Sequence, residues 1–271
     1  DYINQLRDKG GDSMKIAVSG KGGVGKTTFV ATLARVFAEN GKKVIAIDAD
    51  PVANLSVTLG IKNVSEIVPI SQMKDLIKER TGATSEEYGK FFQLNPTVSD
   101  LPDKLSLEHE GIKLMVLGAV KRGGGGCACP ESAFLRTLLS HLIVQRDEVV
   151  IVDMEAGVEH LGRATVKAVN ALIVIVEPGS KSIQTAFQVK KLADDIGLRS
   201  IYAVGNKVAS DEHRALIEKG LQGIPVLGFI SYNDRVLESD ILGKAVFAEN
   251  SQLMSEVRKI KNSLEDCTKG K

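Results

Sequence analysis

The sequence predicts an α/β fold, a doubly wound and mostly parallel sheet with helices on both faces. Three observations carry this. The strand candidates are uninterrupted apolar runs, the form taken by strands covered on both sides. They alternate with helical patterns in the order βαβα. The first of them runs through a glycine-rich loop straight into a helix, the arrangement that opens such sheets.

The elements follow in order. Residues 1–13 are polar and precede Met14, so they read as an added tag or disordered leader. Residues 14–271 read as a single domain. The strands are expected at Lys15–Ser19, Val44–Asp48, Lys113–Leu117, Val149–Asp153, Leu172–Val176, Ile201–Asn206 and Val226–Phe229. The first helix begins at Thr27 and runs to Phe37, and a later one covers Lys181–Ile196. An insertion at about 61–110 breaks the alternation. It holds a helix near Ser71–Thr81 and a loop-rich section with Pro96 and Pro102, and it would either fill surface or contact a partner. Pro130 suits the first turn of a helix through Phe134 to Ser140. The last helix places Leu253, Val257, Ile260 and Leu264 on one narrow face with no aromatic residue, a face for packing onto the core rather than onto a membrane.

Composition removes several classes. A net charge of +1 gives no bulk attraction to nucleic acid or to an acidic membrane. The longest purely apolar run is Ala171 to Val176, far short of a membrane span. Three cysteines, two of them nearly adjacent, do not make a disulfide scaffold. The expectation is a cytoplasmic protein with no nucleic-acid or membrane partner.

Gly20-Lys21-Gly22-Gly23-Val24-Gly25-Lys26-Thr27-Thr28 is a complete phosphate-binding loop. Its glycines let successive N–H groups turn toward one anion, and the helix start adds positive potential there. Lys26 would bridge the β- and γ-phosphates of a nucleotide triphosphate, and Thr27 would place its hydroxyl on Mg²⁺. Lys21 is an additional lysine after the first glycine. Asp48 and Asp50 end one strand and Asp153 ends another, beside the phosphates. Carboxylates there can hold Mg²⁺ through water or position a water molecule. Gly157 could let the following loop sense the γ-phosphate, and Asn206 ends a strand where an amide can meet a purine edge.

Taken together, this loop, Asp48-Ala49-Asp50-Pro51 and Asp153-Met154-Glu155-Ala156-Gly157 resemble the deviant Walker A ATPases of P-loop NTPase fold. That group includes the MinD and ParA proteins and the nitrogenase iron protein. The resemblance spans Met14 to about Phe247. It implies ATP sandwiched in a homodimer, with Lys21 reaching the partner's phosphates. It implies that Asp50 orients the attacking water, that Asp48 supports it, and that Asn206 reads adenine.

Gly123-Gly124-Gly125-Gly126-Cys127-Ala128-Cys129-Pro130 is the second signal. Thiolates are soft ligands for Zn²⁺, Ni²⁺, Cu⁺ or iron–sulfur clusters. One chain supplies two close sulfurs and a closed site wants four ligands, which a twofold dimer would provide. Cys129 falls at the helix cap, where the dipole favours thiolate. The alternative is that both cysteines pack or form a redox pair. With the run Asp153 to Arg163, this pair resembles the CooC and AcsF maturation ATPases. That likeness implies Ni²⁺ on Cys127 and Cys129 at the dimer interface and delivery to carbon monoxide dehydrogenase or acetyl-CoA synthase, while four sulfurs in a tetrahedral arrangement would suit Zn²⁺ at least as well. Glu155 and Glu159-His160 incline it toward the acetyl-CoA synthase factor, and His160 reads as a hydrogen-bonded loop residue or a metal ligand. An iron–sulfur carrier or nitrogenase-like reductase, a positioning or partitioning switch, and a small-molecule synthase of the same loop class are the rivals.

Overall fold

The computed structural model describes residues 13–62, 67–83, 92–118, 129–155, 157, 161, 163–248 and 250–269. Eight strands form one sheet: β1 Lys15–Gly20, β2 Val44–Asp48, β3 Leu107–His109, β4 Ile112–Val116, β5 Val149–Asp153, β6 Ala171–Val176, β7 Ile201–Val208 and β8 Val226–Ser231. Their spatial order is β3-β4-β2-β5-β1-β6-β7-β8. Every pairing is parallel except β3 with β4. The expected fold class is observed. The difference is one added antiparallel edge strand, β3, inside the stretch read as an insertion.

The apolar runs divide by alternation even though both faces are buried. Ile45, Ile47, Val150 and Val152 enter one core, whereas Val44, Ala46, Val149 and Ile151 enter the other. The first core is closed by α3 (Lys74–Thr81), α5 (Pro130–Gln145), α7 (Ser180–Ile196) and α8 (Asp211–Gly220), through residues such as Ile77, Phe134, Val189 and Ile217. The second is closed by α1 (Lys26–Glu39) and α10 (Ser251–Thr268). Among the described residues the shorter α-helices are α2 Leu55–Thr58, α4 Leu101–Leu105, α6 Arg163–Val166 and α9 Asp234–Ile241.

The face expected on α10 is the one that packs. Leu253, Val257, Ile260 and Leu264 are at most 1% exposed, each contributing about 1.5–3 kcal/mol as an upper estimate. Among the described residues no helix is long and apolar enough to cross a membrane. The stretch at 61–110 does more than cover surface, since Ile70, Ile77, Val98 and Leu101 are buried in the first core. A paired fork, Arg80 Nη1 and Nη2 each 2.8 Å from Asp100, ties α3 to the start of α4.

The topology decides where a ligand can sit. β1 lies between β5 and β6, and the chain leaves it on opposite sides, to β2 and later to β6. Such a reversal opens a crevice at the carboxyl ends of the strands. In register, Asp153 faces Val18 on one side and Asp48 on the other. The loop after β1 and the acidic ends of β2 and β5 therefore converge.

Candidate nucleotide site

The loop between β1 and α1 needs its glycines for distinct reasons. Gly20 has φ +149, and a Cβ there would stand 2.6 Å from the Ile175 carbonyl oxygen of β6. Gly25 has φ +92 and caps α1, and a Cβ there would overlap Asn206 Nδ2. Beside Gly22 and Gly23, by contrast, a Cβ would meet nothing within 4 Å. The loop thus packs tightly at its two ends and opens to one side in the middle, where a phosphate fits. Val24 is fully buried and anchors the loop's far wall. Lys26 is buried, and its Nζ donates to the Lys21 carbonyl oxygen at 3.4 Å. Thr28 belongs to the first turn of α1, and its carbonyl accepts from Thr32 Oγ1 at 2.8 Å.

Thr27 Oγ1 donates to Asp153 Oδ2 at 2.6 Å. Asp153 is 1% exposed, and its Oδ1 is buried with no hydrogen-bond partner. Burial pushes the Asp153 carboxyl up to about 7. The Thr27 hydroxyl pulls it back, and the nearby Asp48 charge adds to the rise. An orphaned carboxylate oxygen is costly in a protein interior. Its chemistry suits a hard cation. Thr27 donates its one hydroxyl hydrogen to the bond with Asp153, so its lone pairs remain for a metal. These residues fit Mg²⁺, with Thr27 and Asp153 as the groups that would hold it.

Asp48, also 1% exposed, is turned inward. Its Oδ1 accepts from the Asp50 N–H at 3.1 Å and its Oδ2 from the Leu55 N–H at 2.9 Å. Burial raises it to about 6, against the lowering effect of those two N–H groups. Asp48 therefore acts as a brace that folds the segment after β2 around itself. Asp50 is half-buried, with Oδ1 accepting from the Val52 N–H at 2.9 Å.

Asn206 is locked to the loop. Its Nδ2 donates to the Val24 carbonyl at 2.7 Å, and its Oδ1 accepts from the Lys207 N–H at 2.9 Å. Ser19 was not foreseen. Its Oγ lies 2.9 Å from the Glu155 carbonyl and accepts from the Gly157 N–H at 3.1 Å, so it pins the segment after β5 to the base of the loop. Glu177 and Lys207 were also missed as site residues. Lys207 Nζ donates to the Gly23 carbonyl at 2.6 Å, and Glu177 pairs with both Lys21 and Lys207. Glu177 follows β6 as Asp48 and Asp153 end their strands, and that shared position could have revealed it.

The structure thus gathers the whole 20–28 loop, Asp48, Asp50, Asp153 and Asn206 around the end of β1. Pro130 opens α5, and Cys129 is its N-cap, as expected. Cys129 Sγ accepts from the Ser132 N–H at 3.4 Å, and the thiol lies 3.1 Å from Ser132 Oγ. Cys127, the four glycines before it, Glu159 and His160 lie outside the described residues.

A family model described as the CobQ/CobB/MinD/ParA nucleotide binding domain matches residues 15–246. The chain belongs to this family. The carbon monoxide dehydrogenase accessory protein CooC of Rhodospirillum rubrum is 46% identical over 236 residues, which is 86% of this chain and 89% of CooC. An uncharacterized ATP-binding protein of Methanocaldococcus jannaschii is 47% identical over 251 residues, 92% of this chain and 96% of the relative. Among solved structures, the MinD cell division protein of Aquifex aeolicus superposes with a TM-score of 0.65 at 20% identity, covering 93% of this chain and 97% of MinD. The Pyrococcus horikoshii MinD, solved as a complex with Mg-ADP, gives 0.63 at 19% identity and covers 92% and 94%. At those identities the likeness speaks for the fold.

Proposed function

We propose that this family member is an ATP-dependent nickel-insertion factor for carbon monoxide dehydrogenase. The observation that carries the reading is the 46% identity to a carbon monoxide dehydrogenase accessory protein across nearly the full length of both chains. The Cys127-Ala128-Cys129 pair after four glycines supplies soft ligands for the metal. The same relative favours carbon monoxide dehydrogenase over acetyl-CoA synthase as the target.

In this reading two copies of the chain bind ATP between them. The loop N–H groups and Lys26 hold the β- and γ-phosphates, and Lys21 of each copy reaches the other's nucleotide. Bound by Thr27 and, through water, by Asp153, Mg²⁺ would offset charge on the same phosphates. Asp50 orients the attacking water, and Asp48 keeps Asp50 in place by accepting its N–H. Asn206 meets the adenine while its amide holds the loop at Val24. Cys127 and Cys129 of the two copies provide four sulfurs for one Ni²⁺, which is cargo rather than a fixed component. Because Lys21 meets nucleotide only across the interface, ATP favours the closed pair and hydrolysis releases it. Any change of sulfur spacing on closure makes nickel affinity depend on the nucleotide, and nickel must act back on dimerisation.

The test is activation of nickel-deficient carbon monoxide dehydrogenase by the chain with Ni²⁺, Mg²⁺ and ATP. The reading expects activation that disappears without ATP and in the Cys127→Ala/Cys129→Ala variant. Equal activation by that variant would sink the nickel reading and leave a nucleotide switch with another cargo.

A further inference from the structure

Glu177 has no part in the scheme above, yet its surroundings are built. Its Oε1 lies 3.7 Å from Lys21 Nζ, and its Oε2 lies 3.4 Å from Lys207 Nζ. Its backbone N–H donates to Ser182 Oγ at 3.1 Å, which ties the residue to α7. Lys207 is itself held in an unusual conformation, with φ +58 where the β7–β8 register shifts between Gly205 and Val208. Asn206 Oδ1 accepts its N–H, and its Nζ reaches the Gly23 carbonyl. A bulge in β7 thus aims one lysine at the loop, that lysine orients Glu177, and the free side of the carboxylate faces Lys21.

We propose that Glu177 is a positioning residue that holds Lys21 on its own chain and sets how readily Lys21 passes to the partner's phosphates. This rests on the reading that Lys21 acts across a dimer. One ammonium cannot serve a carboxylate and a γ-phosphate in another chain at once, so the two compete. The Lys21 and Glu177 side chains are 43% and 27% exposed, which makes the pair weak enough to exchange. Lys207 keeps Glu177 compensated after Lys21 departs, so release does not strand a partly buried charge beside the loop. Glu177 therefore acts as a threshold that disfavours pairing until nucleotide is bound.

The experiment measures the dimer dissociation constant by sedimentation at a saturating non-hydrolysable ATP analogue. It compares wild type, Glu177→Gln, Lys21→Gln and the double variant, with a thermal melt of each. Glu177→Gln is expected to tighten the dimer by about two- to fivefold, the range for an exposed ion pair, and less at high salt. In the Lys21→Gln background the same change is expected to do nothing. Glu177→Asp, whose shorter carboxylate should hold Lys21 less well, serves as the second variant if the amide unfolds the protein, and it is expected to shift in the same direction. Tightening that is absent, or equal in both backgrounds, would overturn the proposal while leaving the across-dimer reading intact. A Lys21→Gln protein that dimerises like wild type would overturn that reading instead.

Discussion

Replacing Asp153 with asparagine should make the protein more stable and disable its nucleotide chemistry. Burial raises this carboxyl from 3.8 to about 7. The folded protein therefore keeps a proton that the unfolded chain has lost between about pH 4 and 7. Stability must fall as pH rises through that window, and the full cost is present above about 7. A carboxyl carried from 3.8 to about 7 costs the folded state on the order of 4 kcal/mol once ionised. Asparagine removes that cost and can still accept from Thr27, but its amide hydrogens would be unpaired at the orphaned Oδ1 position, costing about 1–3 kcal/mol. The net gain is about 2 kcal/mol, or roughly 4–8 °C for a domain of this size. The assay is thermal unfolding in EDTA at pH 6 and 8.5, where Asp153→Asn should melt higher at pH 8.5 and decline less between the two. Mg²⁺ with ATP should stabilise wild type and not the variant. A variant that melts below wild type at pH 8.5, or that keeps the wild-type pH slope, would refute the burial argument.

Three further outcomes follow from the same geometry. Gly25→Ala places a methyl group on Asn206 Nδ2 at a backbone φ of +92, so isothermal titration should find ATP binding lost or weakened at least tenfold. Lys15 is buried with Nζ donating to the Arg146 and Glu148 carbonyls at 2.5 and 2.6 Å, and desolvation lowers it to about 8. The unfolded chain then holds the extra proton between about pH 8 and 10.5. The urea midpoint of wild type should gain from this group across that window, and Lys15→Met should lack the gain. Leu264→Ala removes a fully buried side chain from the α10 face and should lower stability by about 2–5 kcal/mol in urea unfolding.

The strands were legible because each had to be apolar on both faces, which leaves runs such as Val149–Val152 with few other uses. β3 was not legible. It has three residues, with Leu107 and Glu108 exposed, and it forms only because β4 offers a free edge. The loop and the strand-end acids carried their own chemistry, and Cys129 as a helix cap could be read from Pro130. The inward turn of Asp48 could not, since it depends on the backbone at Asp50 and Leu55 curling back. Nor could the contact between Asn206 and Val24, 182 residues apart. Lys207 gave no local signal and Glu177 only its place after β6, because their partnership exists only where β6, β7 and the loop meet.

Nickel binding by equilibrium dialysis, with and without ATP and Mg²⁺, tests the proposed function most directly when the same samples are sedimented. The account predicts about one Ni²⁺ per dimer from four thiolates, an affinity that changes with nucleotide, and loss of binding in Cys127→Ala/Cys129→Ala. Nickel bound equally well without those cysteines, or with no dependence on ATP, would contradict it.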